Sequence, residues 1–373
     1  MSRADIIRDA GPPTESVTQA SSLWTYSGQK RVLKVALVIF VTLYTVMTIF
    51  PFYVLFVRSF VSSKEAGTLH LWIPPREDVT LDAGIGNLGV QYNLEIKKVK
   101  EDLGIKGYVN PQATLGQIAE EHNIPPERMQ QYFAGYGTYN GWINLLIRGP
   151  HYWHALARTL VITAASVLGV NLLGIMTGYG LAGLRRRDQM VIYNLYILQM
   201  VIPPMLIIIP QFLIVKTLQG LIPGTDAPGA TRYTAQILSI VLINIKGGAL
   251  TTLIYTTYIT GIPRELEESS QIDGASRLQY LYHILLPLMK VPVATVTVIM
   301  LPTFWNQFLE GFVYLDPANT TVLPMIQAIG GQYAINYQMV YTGVFVSILP
   351  LLLVYLAFRR FFVEGAMAGA IKG

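Results

Sequence analysis

Six stretches of this chain, residues 35–57, 160–184, 191–213, 237–259, 284–304 and 340–358, are long and apolar enough to cross a lipid bilayer. A hydrocarbon core about 30 Å thick takes about 20 apolar residues in a helix. Within it every backbone polar group must be satisfied internally, which leaves helices as the solution for segments of this length. Composition agrees: 52% of residues are hydrophobic and only 13% charged, against roughly 25% charged in an average soluble domain. The expected fold is therefore an all-α polytopic membrane protein with six transmembrane helices. Small residues in the second and fourth stretches ("GVNLLGIMTGYGLAG" and "KGGALTT") allow helices to approach closely in lipid, so a packed bundle is expected rather than six separate anchors.

The flanking charges set an orientation. Lys30, Arg31 and Lys34, then Arg185, Arg186 and Arg187, then Arg264, Arg277 and Lys290, and finally Arg359, Arg360 and Lys372 all fall on one side. The connectors "KTLQGLIPGTDAPGATRY" and "LEGFVYLDPANTTVLP" on the other side are nearly free of them. Basic residues favour the cytoplasmic side, so both termini are expected there, in a multi-pass protein of a bacterial or archaeal cytoplasmic membrane. The opening residues, 1–32, are polar without an early apolar run, and read as a cytoplasmic tail rather than a signal peptide.

Residues 33–60 hold the first helix and residues 61–150 form an extracytoplasmic insertion between the first and second helices. In this insertion "VQYNLEIKKV" alternates like a strand, and "ATLGQIAEEHNIPPERMQQYF" reads as two short helices. Thr114 with Gln117 makes a capping box, and Asn123 is placed to cap a helix opened by Pro125 or Pro126. A small α+β cap is expected. The two helices superficially resemble a DNA-binding helix-turn-helix, but an outer location and near-balanced charge argue against nucleic acid.

The core, residues 151–363, is interrupted at 262–287 by the polar stretch "IPRELEESSQIDGASRLQYLYHILLP". Pro263 and the acids Glu265, Glu267 and Glu268 suit the start of a helix, and Gly274 suits a left-handed end. The helix then restarts in "ASRLQYLYH". The spacing Glu268-Ser269-Ser270, three residues, Gly274, nine residues, Ile284-Leu285-Leu286-Pro287 resembles the EAA loop of ABC importer permeases, with Ser-Ser standing for Ala-Ala. "IDGAS", "LPLMKVP", "WNQF" and the terminal "FVEGAMAGAIKG" resemble the carbohydrate branch, specifically the six-span MalG-like subunit of maltose-type systems. The resemblance covers roughly residues 33–60 and 150–373, and leaves out most of 62–150.

That resemblance implies a permease subunit translocating an oligosaccharide of the maltose or trehalose class. Its partners would be a MalF-like second permease, two copies of an ABC ATPase and an extracytoplasmic sugar-binding protein. The loop would dock on the ATPase through Glu267, Glu268, Ser269, Ser270, Asp273, Gly274, Ala275 and Pro287. The small tail at 364–373, with Gly365, Gly369, Lys372 and Gly373, would reach the interface between the ATPases. No G-x-x-x-x-G-K-[ST] phosphate loop occurs in the chain, so ATP and Mg would be bound by the partner and this chain needs no cofactor and is not an enzyme. Cysteine is absent, and no H-x-x-x-H pair exists, so no metal site is expected.

For the translocation path the candidates are Asn244 and Lys246, a lysine in the middle of the fourth stretch, where a charge is costly, together with Trp305, Asn306 and Gln307. Each has a plainer reading: a structural lysine with a nearby acceptor, and packing or interfacial anchoring of the tryptophan. An importer of a polyol or glycerol phosphate ester is the alternative within the class. A secondary transporter would need acidic sites within the spans, which hold essentially none. An extracytoplasmic sensor is suggested only by the length of the insertion.

Overall fold

The computed structural model describes residues 15–61, 68–73, 79–92, 94–147, 149–225, 229–331 and 336–370, with side chains left out at a few of these. The chain divides into two units, residues 1–55 and 56–373. The described residues of the first form a single helix, α1 (Glu15–Arg58), which continues to the start of the second unit. The helix thus begins inside what reads as a polar tail. Residues 30–53 are exposed on every face although most are apolar, the signature of a helix whose solvent is lipid. Its few hydroxyls are satisfied within the helix: Thr42, Thr45 and Thr48 donate to the carbonyls four residues back at 2.8, 2.7 and 2.8 Å.

The second unit opens with a small helical cap. Helices α2 (Ile85–Tyr92), α3 (Ile96–Leu103), α4 (Leu115–Glu121) and α5 (Pro126–Trp142) surround their own core of Ile85, Leu88, Val99, Leu115, Ile118, Met129 and Phe133. The expected strand over "VQYNLEIKKV" is thus wrong: the run belongs to α2 and α3, and among the described residues no strand forms. The alternation was local, while Leu88, Tyr92, Val99 and Leu103, which are the residues that bury, follow helical spacing. The Thr114–Gln117 capping box is present. Asn123 does not cap α5; it lies at φ 52° in the turn leaving α4, and Pro125 precedes α5 with Pro126 in its first turn.

The cap is an internal repeat that sequence reading missed. A spacing of thirty residues relates Ile85 to Leu115, Leu88 to Ile118, Leu94 to Ile124, Val99 to Met129 and Leu103 to Phe133, all buried. The backbone repeats too. Ile85 N–H donates to Ala113 and Leu115 N–H to Ala83, both at 3.0 Å, while Gly86 reaches Pro111 at 2.9 Å and Gly116 reaches Leu81 at 2.8 Å. The two helical pairs therefore face each other across a pseudo-twofold axis centred on the Gly84–Thr114 bridge. Gly86 is required there, because a Cβ would stand 2.4 Å from the Pro111 carbonyl oxygen.

The bundle follows, built on α6 (Pro150–Ala182) and α17 (Tyr337–Ala370). These two and the apolar part of α1 are long enough to span alone. The remaining apolar stretches are bent pairs: α7 (Arg186–Val201) with α8 (Pro204–Gly220), α9 (Ala230–Asn244) with α10 (Ala249–Thr260) at 59°, and a pair meeting at Met289 at 70°. The last joins α12 (Arg277–Tyr280), a π-turn and a short α13 (Leu286–Leu288) to α14 (Lys290–Trp305). The count of six spans holds only if each bent pair is one span. Two of the breaks have local causes: Pro203 and Pro204 in the first, Gly247 at φ 66° in the second.

Helix α6 is the hub, packed against α9, α10 and α14; α17 packs on α14 and on α16 (Val322–Gly331), which follows the short α15 (Leu309–Tyr314). Close approach to α10 depends on missing side chains. A Cβ on Gly174 or Gly178 would lie 2.7 Å from the Tyr255 side chain, and the one on Gly178 only 3.1 Å from the Thr256 backbone nitrogen. Tyr255 is fully buried, and its hydroxyl donates to Asn171 of α6. Since protein interiors are close-packed, an added methyl there must move a helix. Gly178→Ala is expected to cost about 1–3 kcal/mol, read as a lowered midpoint of thermal unfolding in detergent. Gly180→Ala, where no atom lies within 4 Å of the new methyl, should be neutral or stabilising. Equal effects at the two positions would contradict this packing.

Candidate functional site

The polar stretch at 262–287 folds as a helix, a left-handed turn and a restarted helix. Helix α11 (Glu265–Ile272) begins after Arg264, with Glu265, Glu267 and Glu268 in its first turn, where the helix dipole favours negative charge. Its end is a Schellman closure: Gly274 lies at φ 83°, and Ala275 N–H returns to the Ser270 carbonyl at 2.9 Å. Ser276 then caps α12 through a reciprocal pair with Gln279, at 3.3 and 2.7 Å. These elements match the reading of the sequence.

Two contacts fix the loop to the bundle. The Tyr179 hydroxyl, near the end of α6, donates to Glu267 Oε1 at 2.5 Å. Tyr280 of α12 is buried and lies against Tyr179 with ring centroids 6.2 Å apart. Ser270 is buried, donating to the Glu267 carbonyl at 2.7 Å. Glu267 and Ser270 thus look inward, while Glu268, Ser269, Asp273 and Gly274 are exposed and Ala275 is half-buried. Pro287 is exposed within α13.

The outward side carries apolar residues that the motif reading passed over. Ile272 is 86% exposed, Leu278 73% and Tyr282 68%. These three apolar side chains are exposed on a stretch that also carries Asp273, Arg277 and Gln279, so the outer side of the loop is mixed apolar and polar. The signal was in the sequence: isolated apolar residues within a charged segment.

The path candidates separate into two groups. Asn244 and Gln307 exchange amide hydrogen bonds at 2.9 and 2.8 Å, and Asn244 also donates to Ser166 Oγ at 2.9 Å. This node joins the end of α9, the end of α14 and α6, and satisfies amides that burial would otherwise penalise. Trp305 is buried, its indole N–H donating to the Ser347 carbonyl at 3.1 Å, so its ring packs in the core. Lys246 and Asn306 are exposed, Lys246 at the α9–α10 break, where Gly247 N–H donates to the Asn244 carbonyl at 3.3 Å. Of the tail residues, Gly365 and Gly369 lie in α17, while Lys372 and Gly373 lie outside the described residues.

Gly274 offers a clean test of the loop. No atom lies within 4 Å of a Cβ added there, so any cost is conformational. Gly274→Val should destabilise the loop by about 1–2 kcal/mol, and Gly274→Asn by much less, because Asn tolerates positive φ. Faster hydrogen exchange over 265–280 in the Val variant alone is the expected result; indistinguishable variants would refute the left-handed closure.

Comparison with known proteins places this geometry in a family. A profile described as "Binding-protein-dependent transport system inner membrane component" matches residues 170–363, which contain the loop, the Asn244–Gln307 pair and helices α7 to α14. The chain is 27% identical over 219 residues to the "Probable starch degradation products transport system permease protein AmyC" of Thermoanaerobacterium thermosulfurigenes, covering 58% of this chain and 75% of that protein. It is 24% identical over 268 residues to the "Arabinooligosaccharides transport system permease protein AraQ" of Bacillus subtilis, covering 72% and 88%. Among solved structures, a bacterial ABC transporter involved in the import of the acidic polysaccharide alginate superposes with a TM-score of 0.55 at 16% identity, covering 90% of this chain and 98% of that one; this likeness concerns the fold. The chain belongs to the family of inner-membrane components of binding-protein-dependent transport systems.

Proposed function

We propose that this chain is a membrane-spanning permease subunit of a carbohydrate ABC importer, and that the loop 262–287 couples it to a separate ATPase. The observation that carries this is α11: it is tied to α6 through Tyr179 and Glu267 and turns Glu268 and Ile272 outward. A push on its outer face would pass to the hub helix of the bundle. The oligosaccharide class rests on relatives such as AmyC and AraQ, whose names specify starch degradation products and arabinooligosaccharides. In this reading each bent pair is one of six spans, both termini are cytoplasmic, and a MalF-like subunit, two ATPase copies and a sugar-binding protein complete the assembly. The path runs past the α9–α10 break, with Lys246 and Asn306 facing it and the Asn244–Gln307 pair holding its wall. Residues 365–373 extend toward the ATPase interface, and the repeat cap helps seat the binding protein on the outer face.

The test is coupling. Glu268→Lys reverses an exposed charge on α11 without touching the Tyr179 contact, so insertion should persist while ATPase association falls and uptake drops at least about tenfold, the equivalent of about 1.4 kcal/mol. Deleting residues 365–373 should lower stimulated ATP hydrolysis with insertion unchanged. Normal uptake and normal ATPase association in both variants would rule the reading out.

A further inference from the structure

Beside the start of α7 and the end of α10 lies a cavity of about 590 Å³, within the range of small-molecule sites. Its lining includes Arg186 and Arg264 together with Gln189, Thr256, Met190 and Leu253, and no acidic residue takes part. Among the described residues, neither guanidinium forms a hydrogen bond or an ion pair. A further observation points to a ligand. Thr256 is 4% exposed, and its hydroxyl oxygen has no partner among the described residues, although buried hydroxyls are ordinarily paired. The site therefore holds two unpaired cations, an unused buried hydroxyl and an amide at one cavity. Met190 and Leu253, both exposed, add an apolar flank.

We propose that this cavity binds the phosphate of an anionic phospholipid, with Arg186 and Arg264 on the phosphate oxygens and the acyl chains along Met190 and Leu253. Guanidinium forks match phosphate geometry, giving charge-assisted hydrogen bonds stronger than neutral ones. The amphipathic lining favours a lipid over a soluble phosphate, which would leave the apolar flank uncovered. Basic pockets between helices on the cytoplasmic side suit such headgroups. Arg264 immediately precedes α11, so an occupied site would hold the start of that helix against α10 and make loop position sensitive to lipid composition.

The experiment is native mass spectrometry of the purified full chain from nanodiscs of phosphatidylcholine with or without phosphatidylglycerol. One retained phosphatidylglycerol per chain is expected, surviving delipidation that strips phosphatidylcholine. Retention should fall at least about tenfold in Arg186→Gln, as loss of a charged hydrogen bond predicts, and recover in Arg186→Lys, which keeps the charge. Thr256→Val should also weaken retention, with a normal thermal midpoint as the folding control. Equal retention of the two lipids, or retention unaffected by Arg186→Gln, would overturn the proposal. So would displacement of the lipid by inorganic phosphate alone, which would make the ligand a soluble phosphate.

Discussion

The contact on which the rest of this structure depends is that between α6 and α10, where Gly174 receives the Tyr255 ring and Gly178 receives the Tyr255 Cβ and the adjoining backbone. In lipid, helices gain no hydrophobic driving force from meeting each other, so close fit and internal hydrogen bonds must hold them. Here both act at one place. The ring fills the space that the absent side chain of Gly174 leaves, and its hydroxyl donates to Asn171, which in turn donates to Thr297 of α14 at 3.3 Å. Three helices are thereby pinned at one level.

From that level the order propagates to the loop. Tyr179 follows Gly178 on α6 and holds Glu267, while Tyr280 enters the same apolar cluster as Tyr255. The loop is therefore not a tether between spans. Its inner face is part of the bundle core, and its outer face carries Ile272, Leu278 and Tyr282 to the surface. In the proposed coupling role, this anchoring on one side and the exposed apolar residues on the other would pass movement between two bodies, provided that both contacts outlast the movement. The charge-assisted bond at Glu267, of a kind worth about 1.5–3 kcal/mol, favours a rigid transfer.

Much of this was legible in the sequence because the membrane imposes simple rules. Apolar length gave the long apolar helices, small residues gave the close approach of α6, and Gly274 with the acids at 265–268 gave the first helix of the loop and its left-handed end. What was misread lay where local pattern and tertiary packing disagree. Alternation over "VQYNLEIKKV" suggested a strand, but a duplicated helical unit claims those residues, and its halves share burial and hydrogen bonding rather than identical residues. Asn123 looked like a cap for the next helix and instead turns the chain out of the previous one. Two of the three breaks in apolar stretches lie at Pro203–Pro204 and at Gly247, residues that uninterrupted hydropathy hid. Trp305, Asn244 and Gln307 looked alike as path candidates; burial separates them from Lys246 and Asn306.

The absence of cysteine makes the central claim, that α11 presents a cytoplasmic docking face, directly measurable. A single Ile272→Cys variant, in vesicles of known sidedness, is treated with a membrane-impermeant maleimide. The account predicts labelling only in inside-out vesicles, and protection from labelling when the ATPase subunit is bound. Labelling from the outer face of right-side-out vesicles, or labelling that bound ATPase leaves unchanged, would contradict it.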